Sequence, residues 1–236
     1  MLARQHVKTV NDTAASIAEV LALLRTAGER RYDGEPVSHR EHALQCATLA
    51  LNQGQPAPLV AACLLHDVGH LLATSGAPDT PTLIGLDDRH QVRGPAWLAP
   101  LFPPEVLHPI RWHVDAKRFL AATDPAFLHA LSADSRRSLA LQGGPMDAPA
   151  RARFLARPHA EDAVRLRRLD DVAKQLGLPT RPLETLAIVL QRCLRGGNGA
   201  VLTLRQPRAP PGGASRREAA RRPGPRAGRC RVQGQG

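Results

Sequence analysis

The chain has 236 residues, enough for one domain with a substantial core but too few for two large ones. Its formal charge of +11 suggests nucleic-acid binding at first sight. The charge is uneven, however: nine of the 32 basic residues, all arginines, follow residue 204, where Glu218 is the only acidic residue. The preceding body is therefore nearly neutral, which argues against a protein that binds a nucleic-acid groove.

Composition and periodicity favour an all-α fold. Aromatic residues make up 3% of the chain, so alanine, leucine and valine have to fill the core, and this favours helices. The four cysteines show no paired spacing, which indicates reduced, buried thiols in a cytoplasmic protein rather than zinc ligands or disulfides. No apolar run is long enough for a membrane span and no export signal is recognisable, so we expect neither.

In chain order, hydrophobic periodicity predicts helical segments at 12–27, 38–52, 58–72, 90–100, 104–122, 124–142, 159–176 and 182–194. Ser38 and Glu41 form a capping-box pattern, and Pro109 predicts a bend or restart. The Gly- and Pro-rich stretch 74–88 is interpreted as a loop over the site. Gly, Pro and Arg dominate the last residues, so we predict a helical domain over 1–196 and a disordered tail over 197–236.

An adjacent pair, His66 and Asp67, lies near the end of the predicted helix over 58–72. This helix is apolar on nearly all sides, so it should be central. A neighbouring imidazole and carboxylate offer a nitrogen and an oxygen to a metal ion. His42 lies on the inward stripe of the preceding helix, and Asp170 lies on or beside the apolar face of a late helix, where a carboxylate needs a partner. These four residues would hold one metal.

Two further histidines, His90 and His113, lie on the helices that follow the pair. Added to the other four residues, they would hold two metals, with Asp67 bridging and positions left open for substrate or oxygen. A single inward histidine is more often a hydrogen-bonded core residue than a ligand, and for each of these two that alternative stays open. The remaining histidines are interpreted as surface or structural: His6, His39, His108, His129 and His159.

These motifs resemble those of a known family. His42, His66-Asp67 and Asp170 are similar to the signature of the HD-domain superfamily, all-helical metalloproteins that are mostly phosphohydrolases. A closer resemblance, to the phosphonate-degrading HD-domain oxygenases, covers roughly residues 12–194. It rests on the segments 32–38, 41–47, 64–70, 113–117, 139–146 and 165–171. The resemblance implies a mixed-valent di-iron centre that uses O2 to break the carbon–phosphorus bond of a 1-hydroxy-2-aminoethylphosphonate, giving glycine and phosphate.

The resemblance also implies a role for each matching residue. Tyr32 and Glu35 would form a gate, in which the phenol occupies an iron position until substrate binds. The phosphonate dianion suits lysine, arginine and hydroxyl donors. The implied iron ligands are His42, His66, Asp67 as the bridge, His90, His113 and Asp170. The implied phosphonate-binding residues are His70, Lys117, Ser135, Ser138 and Arg167.

Each of these residues also has an ordinary structural interpretation. A single tyrosine such as Tyr32 is usually half-buried packing, charged helix residues such as Lys117 and Arg167 are usually solvated, and serines often cap helices. Helical spacing favours an inward position for Lys117, four residues after His113, and for His70, which shares the stripe of the His-Asp pair.

We therefore expect a cytoplasmic di-iron oxygenase acting on a small organophosphonate with a free or substituted amine, without nucleic-acid, membrane or obligate protein partners. A metal-dependent phosphohydrolase of nucleotides or other phosphate esters is the first alternative, because it shares the ligands but needs neither Tyr32 nor Glu35. A non-catalytic protein that binds RNA or DNA through its tail is the second. No aromatic residue interleaves the tail arginines, which weakens that alternative.

Overall fold

The computed structural model describes residues 14, 16–32, 34–72 and 84–195. The predicted tail over 197–236 and most of the predicted loop over 74–88 lie outside these residues. Within the described part the fold is all-α, as predicted, and its β-type pairing is one isolated bridge between Arg31 and Ser38. None of the helices described here is both long and apolar enough to cross a membrane.

Each predicted helical segment contains at least one helix, and α9 is an addition that the periodicity did not predict. Asp147 begins α9 by accepting a hydrogen bond from the Ala150 N–H at 2.7 Å. The helices are α1 Ile17–Thr26, α2 His39–Asn52, α3 Ala57–Leu65, α4 Val68–Leu71, α5 His90–Leu98, α6 Pro104–Thr123, α7 Pro125–Ala130, α8 Ala133–Leu141, α9 Ala148–Leu155, α10 Ala160–Val172 and α11 Leu183–Arg192.

The predicted helix over 58–72 is two helices, α3 and α4, with Asp67 at the break. Asp67 adopts φ −100° and ψ 7° and makes no side-chain hydrogen bond that caps α4. This backbone region is sparsely populated and is often used by active-site residues. Residues Leu59 to Leu65 of α3 are all buried, so the break lies deep in the fold. It leaves the Asp67 carboxylate free to face the same point as the neighbouring His66 ring.

Two helices illustrate how local sequence shapes the bundle. The capping box at the start of α2 is present: Ser38 Oγ accepts from the Glu41 N–H at 3.1 Å, and the Glu41 carboxylate accepts from the Ser38 N–H at 2.7 Å. α6, in contrast, continues through Pro109 without the predicted restart. Pro109 removes one hydrogen bond near the helix start, but it is buried with its neighbours Val106 and Ile110, and this packing compensates.

The site lies where α2, α3, α6 and α10 pack together, with α5 against α4 and α6. Close approach of α4 to α5 depends on Gly69, because a Cβ at that position would overlap the backbone of His90. Each of these helices, or the residue next to it, brings one or more candidate ligands to the centre: His42 from α2, His66 and Asp67 from the α3–α4 break, His90 from α5, His113 from α6 and Asp170 from α10.

Candidate metal centre

The structure brings the six predicted ligand residues together in one buried cluster. The histidines form two pairs: the Nε2 atoms of His42 and His66 are 3.1 Å apart, and those of His90 and His113 are 3.0 Å apart. Asp67 lies between the pairs. Its Oδ2 is 3.4 Å from His66 Nε2, and its Oδ1 is 3.7 Å from His90 Nε2. One carboxylate therefore presents one oxygen to each pair.

Asp170 joins the first of these pairs. Its Oδ1 is 3.3 Å from His42 Nε2 and 3.9 Å from His66 Nε2. We call these three residues the buried half of the centre. We call His90 and His113 the pocket half, because they line a cavity whose walls do not include the buried half. Asp67 is shared by both halves.

The four histidine rings are held with Nε2 towards the centre. Each Nδ1 lies 2.6–2.9 Å from an oxygen that can accept a hydrogen bond from the Nδ1–H group. The lone pair of each ring is then on Nε2 and faces the centre, as in metal-binding histidines. Two nitrogen atoms that face each other with their lone pairs at 3.0 Å repel each other unless a proton or a cation lies between them. The acceptors are Ala173 O for His42, Cys63 O for His66, Ile110 O for His113 and Asp88 Oδ1 for His90.

Protonation of the histidines can satisfy only some of the hydrogen-bond acceptors in this cluster. Burial opposes charge on His66, but the neighbouring acidic groups, Asp67 before Asp170, together outweigh it and raise the pKa of His66 to about 10. Burial and the charges of neighbouring histidines hold the pKa of His113 well below its usual value. Asp67 Oδ2 and Asp170 Oδ1 are buried without a hydrogen-bond partner among the described residues. The donor set therefore fits one metal ion in each half, with His42, His66 and Asp67 in one group and Asp67, His90 and His113 in the other.

The cavity beside the pocket half is lined by all five residues that the sequence predicted for phosphonate binding: His70, Lys117, Ser135, Ser138 and Arg167. Lys117 is 3% exposed, and its Nζ donates to Ser138 Oγ at 2.7 Å. Burial, followed by the charge of Arg167, lowers the pKa of Lys117 to about 7. The wall therefore carries a buried amine that can gain or lose its proton near neutrality.

Arg167 lines the cavity but is already paired. Its Nη1 donates to Asp170 Oδ2 at 2.6 Å, and its Nη2 donates to Asp171 Oδ1 at 2.5 Å. Burial works against its charge, but the Asp170 carboxylate raises the pKa of Arg167 further above its usual value. Arg167 therefore orients the outer oxygen of Asp170, while the inner oxygen faces His42.

The two residues predicted to form a gate differ in position. Tyr32 is half-buried, lines the cavity and stacks on His42, with ring centroids 4.5 Å apart. Burial, then the charges of Asp67 and Asp170, raises the pKa of the Tyr32 phenol well above its usual value. Glu35 is not among the lining residues. Its Oε1 is 3.5 Å from Lys174 Nζ, and that ammonium donates to Ser135 Oγ at 3.2 Å.

Among the residues that were not predicted, three hold parts of the site in place: Asp88, Lys174 and Gln45. Asp88 lies against His70 and His90, and its position two residues before His90 was the available signal. Lys174 lies four residues after Asp170 in the sequence, just beyond the end of α10. Gln45 follows His42 by three residues and exchanges two hydrogen bonds with the backbone of Gln175, which fixes the segment that contains the Ala173 carbonyl.

His39 corrects one interpretation. It is 7% exposed and contacts the Tyr32 ring edge-on with ring centroids 4.9 Å apart, so a structural role is right and a surface position is wrong. Burial and the charge of His70 lower the pKa of His39 to about 3. The residue is therefore a neutral packing partner of Tyr32.

An all-helical bundle in which a histidine, a His-Asp pair and a distant aspartate converge on one buried point defines the class of HD-domain metalloproteins. No family model matches the sequence. A [1-hydroxy-2-(trimethylamino)ethyl]phosphonate dioxygenase (glycine-betaine-forming) of Leisingera caerulea is 37% identical over 177 residues, which cover 73% of this chain and 87% of the relative. A hydroxymethylphosphonate dioxygenase of Gimesia maris is 36% identical over 192 residues, 76% of this chain and 95% of the relative. The chain belongs to this family of HD-domain phosphonate dioxygenases.

Proposed function

We propose that the protein is a di-iron dioxygenase that cleaves the carbon–phosphorus bond of a 1-hydroxy-2-aminoethylphosphonate, with a free or substituted amine. The products would be glycine or a substituted glycine, and phosphate. The observation that carries this proposal is the position of Asp67, with one oxygen towards each histidine pair. The names of the two relatives support phosphonate oxidation.

In this proposal, the buried half and Asp67 Oδ2 hold one iron, and the pocket half and Asp67 Oδ1 hold the other. Imidazole and carboxylate ligands with open positions are typical of iron sites that use oxygen. When bound, a mixed-valent iron pair would supply the redox chemistry that the protein side chains lack. The protein keeps the pair shielded, because His42, His66, His113 and Asp170 are each no more than 1% exposed.

The cavity residues would bind and orient the phosphonate. Lys117 and Ser138, already joined by a 2.7 Å hydrogen bond, present a cation and a hydroxyl to phosphonate oxygens. A dianion beside Lys117 favours its protonated form, so binding would draw a proton onto this amine. His70, Ser135 and Arg167 complete the wall. The carbon that bears phosphorus would then lie next to the pocket half.

Tyr32 would act as the gate. Its ring lies on the cavity wall and stacks on His42, so it occupies space beside the cluster that a substrate would need. The Glu35 N–H donates to Tyr32 O at 2.8 Å, so the two residues share one turn of backbone. Lys174, which contacts both Glu35 and Ser135, connects that turn to the phosphonate wall.

The reaction needs O2 but no added reductant, because the phosphonate plus one O2 has the elemental composition of the amino acid plus phosphate. Purified protein should contain about two irons per chain. It should consume one O2 for each phosphate released from 1-hydroxy-2-aminoethylphosphonate, its N-trimethylated analogue or hydroxymethylphosphonate. Comparing the three substrates under identical conditions identifies the preferred substituent.

The same assay contains the test of the hydrolase alternative. An oxygen electrode that records no uptake, together with phosphate release from nucleotides under anaerobic conditions, would establish a metal-dependent phosphohydrolase instead.

We also propose that the enzyme acts in the cytoplasm, since Cys46, Cys63 and Cys193 are buried free thiols, which suits a reducing compartment.

A further inference from the structure

Asp88 contacts two histidines of the cavity wall with one carboxylate. Its Oδ1 accepts hydrogen bonds from His90 Nδ1–H at 2.9 Å and from the His90 backbone N–H at 3.1 Å. Its Oδ2 lies 2.6 Å from His70 Nδ1 and 3.3 Å from Arg93 Nη2. The Asp88 side chain is 18% exposed. These contacts fix the carboxylate in one orientation.

The backbone between Asp88 and His90 is adapted to this contact. Arg89 has a φ of 54°, in the left-handed region that residues with side chains seldom adopt. This conformation lets the Asp88 carboxylate reach the N–H and the ring of the residue two positions later. Left-handed backbone is unfavourable for such residues and persists where the surroundings compensate for it. The contacts of Asp88 supply that compensation.

We propose that Asp88 is a positioning residue that sets His90 for metal binding and His70 for substrate binding at the same time. This inference rests on the proposed function. With both Nδ1–H groups directed at Asp88, both Nε2 atoms keep a lone pair. That of His90 faces His113 Nε2 at 3.0 Å, and that of His70 lies 3.8 Å from Asp67 Oδ1, where it can accept from a substrate hydroxyl.

The stacking of the two rings couples their positions. The ring centroids of His70 and His90 are 3.9 Å apart and the planes differ by 22°, so rotation of one ring displaces the other. The other three candidate histidine ligands donate Nδ1–H to backbone carbonyls, whereas His90 depends on a side chain. A substitution at Asp88 should therefore weaken the pocket half and leave the buried half intact.

Asp88→Asn tests this inference with little change in shape. The amide has one acceptor oxygen and can serve only one of the two histidines, while its NH2 group faces the N–H of the other. We expect metal affinity of the pocket half to fall about 10- to 100-fold. Asp124→Asn is the matched control: Asp124 accepts from the Phe127 N–H and from Arg168, but it lies outside the site. Metal binding in the control should equal that of the wild type.

Titration of the metal-free proteins with Co²⁺, followed by absorption and calorimetry, measures the two halves without turnover. Two sites in the wild type and one selectively weakened site in Asp88→Asn would support the positioning role, and unchanged affinities would overturn it. One Co²⁺ site in the wild type would overturn the di-iron proposal rather than the role of Asp88.

A measurement on the wild type decides the role of Asp88 even if the variant does not fold. In Zn²⁺-loaded protein labelled with ¹⁵N-histidine, NMR should show His70 and His90 both protonated at Nδ1. Protonation of His70 at Nε2 alone would overturn the inference, because Asp88 could then not be its hydrogen-bond acceptor.

Discussion

The two halves of the metal centre share Asp67 but are built in different ways. In the buried half, His42 and His66 are oriented by the backbone carbonyls of Ala173 and Cys63. Those carbonyls belong to the helix bundle or to the segment that Gln45 fixes against α2. Backbone carbonyls therefore orient both histidines of the buried half, while the Arg167 side chain orients its aspartate.

The pocket half depends more on side chains. His113 is oriented by the Ile110 carbonyl within α6, but His90 is oriented by Asp88, which also contacts His70. The cavity touches this half and not the other. In the proposed function, substrate would therefore reach the candidate metal centre from the pocket half. The predictions below test whether the halves can be disturbed separately.

The largest effect is expected from Asp67→Asn, which removes the link between the halves. An amide nitrogen is a donor and does not bind a metal, so the half that faces it loses a ligand. Turnover should fall to background, and the metal content should drop to at most about one per chain. Iron analysis and oxygen uptake measure both, with Asp124→Asn as the folded control. A variant with two metals and normal turnover would show that Asp67 is not a shared ligand.

Lys117→Met should disturb only the substrate side of the pocket half. A hydrogen bond to a charged group contributes about 1.5–3 kcal/mol, so KM for the phosphonate should rise about 10- to 100-fold. Metal content should not change, because Lys117 contacts Ser138 rather than a candidate ligand. Steady-state kinetics together with iron analysis separates the two effects. A loss of metal in this variant would mean that the wall and the centre are not separable.

The pH dependence of activity sharpens the same point. The pKa of Lys117 is lowered to about 7, so in the free enzyme the amine loses its charge as the pH rises through that value. We expect kcat/KM to fall above about pH 7. This decrease should be missing in Lys117→Arg, because the guanidinium stays charged.

The same lowered pKa predicts an effect on stability, because the unfolded chain binds the Lys117 proton more tightly than the folded chain does. Lys117→Met should therefore stabilise the fold, most strongly below pH 7 and not at all above the usual lysine pKa. Thermal unfolding across pH measures this, and a destabilised variant at low pH would contradict it.

Gly69→Ala should weaken metal binding by the pocket half, because it displaces the backbone that carries His90. The new Cβ would overlap the His90 backbone, so α4 and α5 have to separate. We expect a loss of about 1–3 kcal/mol of unfolding free energy, and weaker metal binding by the pocket half alone. Gly144→Ala is the control: Gly144 has a φ of 68° and an added Cβ would have no neighbouring atom within 4 Å, so strain costs about 1 kcal/mol without reaching the site. Equal metal affinities in the two variants would argue against the role of close packing.

Sequence patterns predicted the parts of the site that lie on regular helices. The inward positions of His42 and Asp170 follow from apolar faces, and that of His66 from a helix that is apolar on nearly all sides. His113 was assigned only through the resemblance. The capping box of α2 was also predicted, because it depends only on two residues three positions apart. The division of 58–72 into α3 and α4 was not predicted, since neither proline nor glycine adjoins Asp67 in the sequence.

The contacts that orient the ligands could not be predicted in the same way. Gln45 reaches the backbone of Gln175 across 130 residues, and no periodicity relates those positions. The contact of Asp88 with His90 depends on the left-handed conformation of Arg89, which is not a residue that signals such a turn. The pairing of Glu35 with Lys174 is likewise a product of the tertiary fold.

The smallest effect should come from deleting residues 197–236, which should change neither half. Every candidate ligand and every cavity residue lies between Tyr32 and Asp170, and the two relatives match only 73% and 76% of the chain. The deletion removes nine arginines, and the phosphonate is an anion. The remaining route for an effect is therefore the long-range electrostatic attraction between the tail and the substrate. Salt at physiological strength screens charges beyond about 8 Å, so kcat/KM there should change by less than about twofold. A difference that appears only at low ionic strength would assign the tail an effect on association rate. Loss of turnover at physiological salt would show instead that the tail supports the metal centre directly.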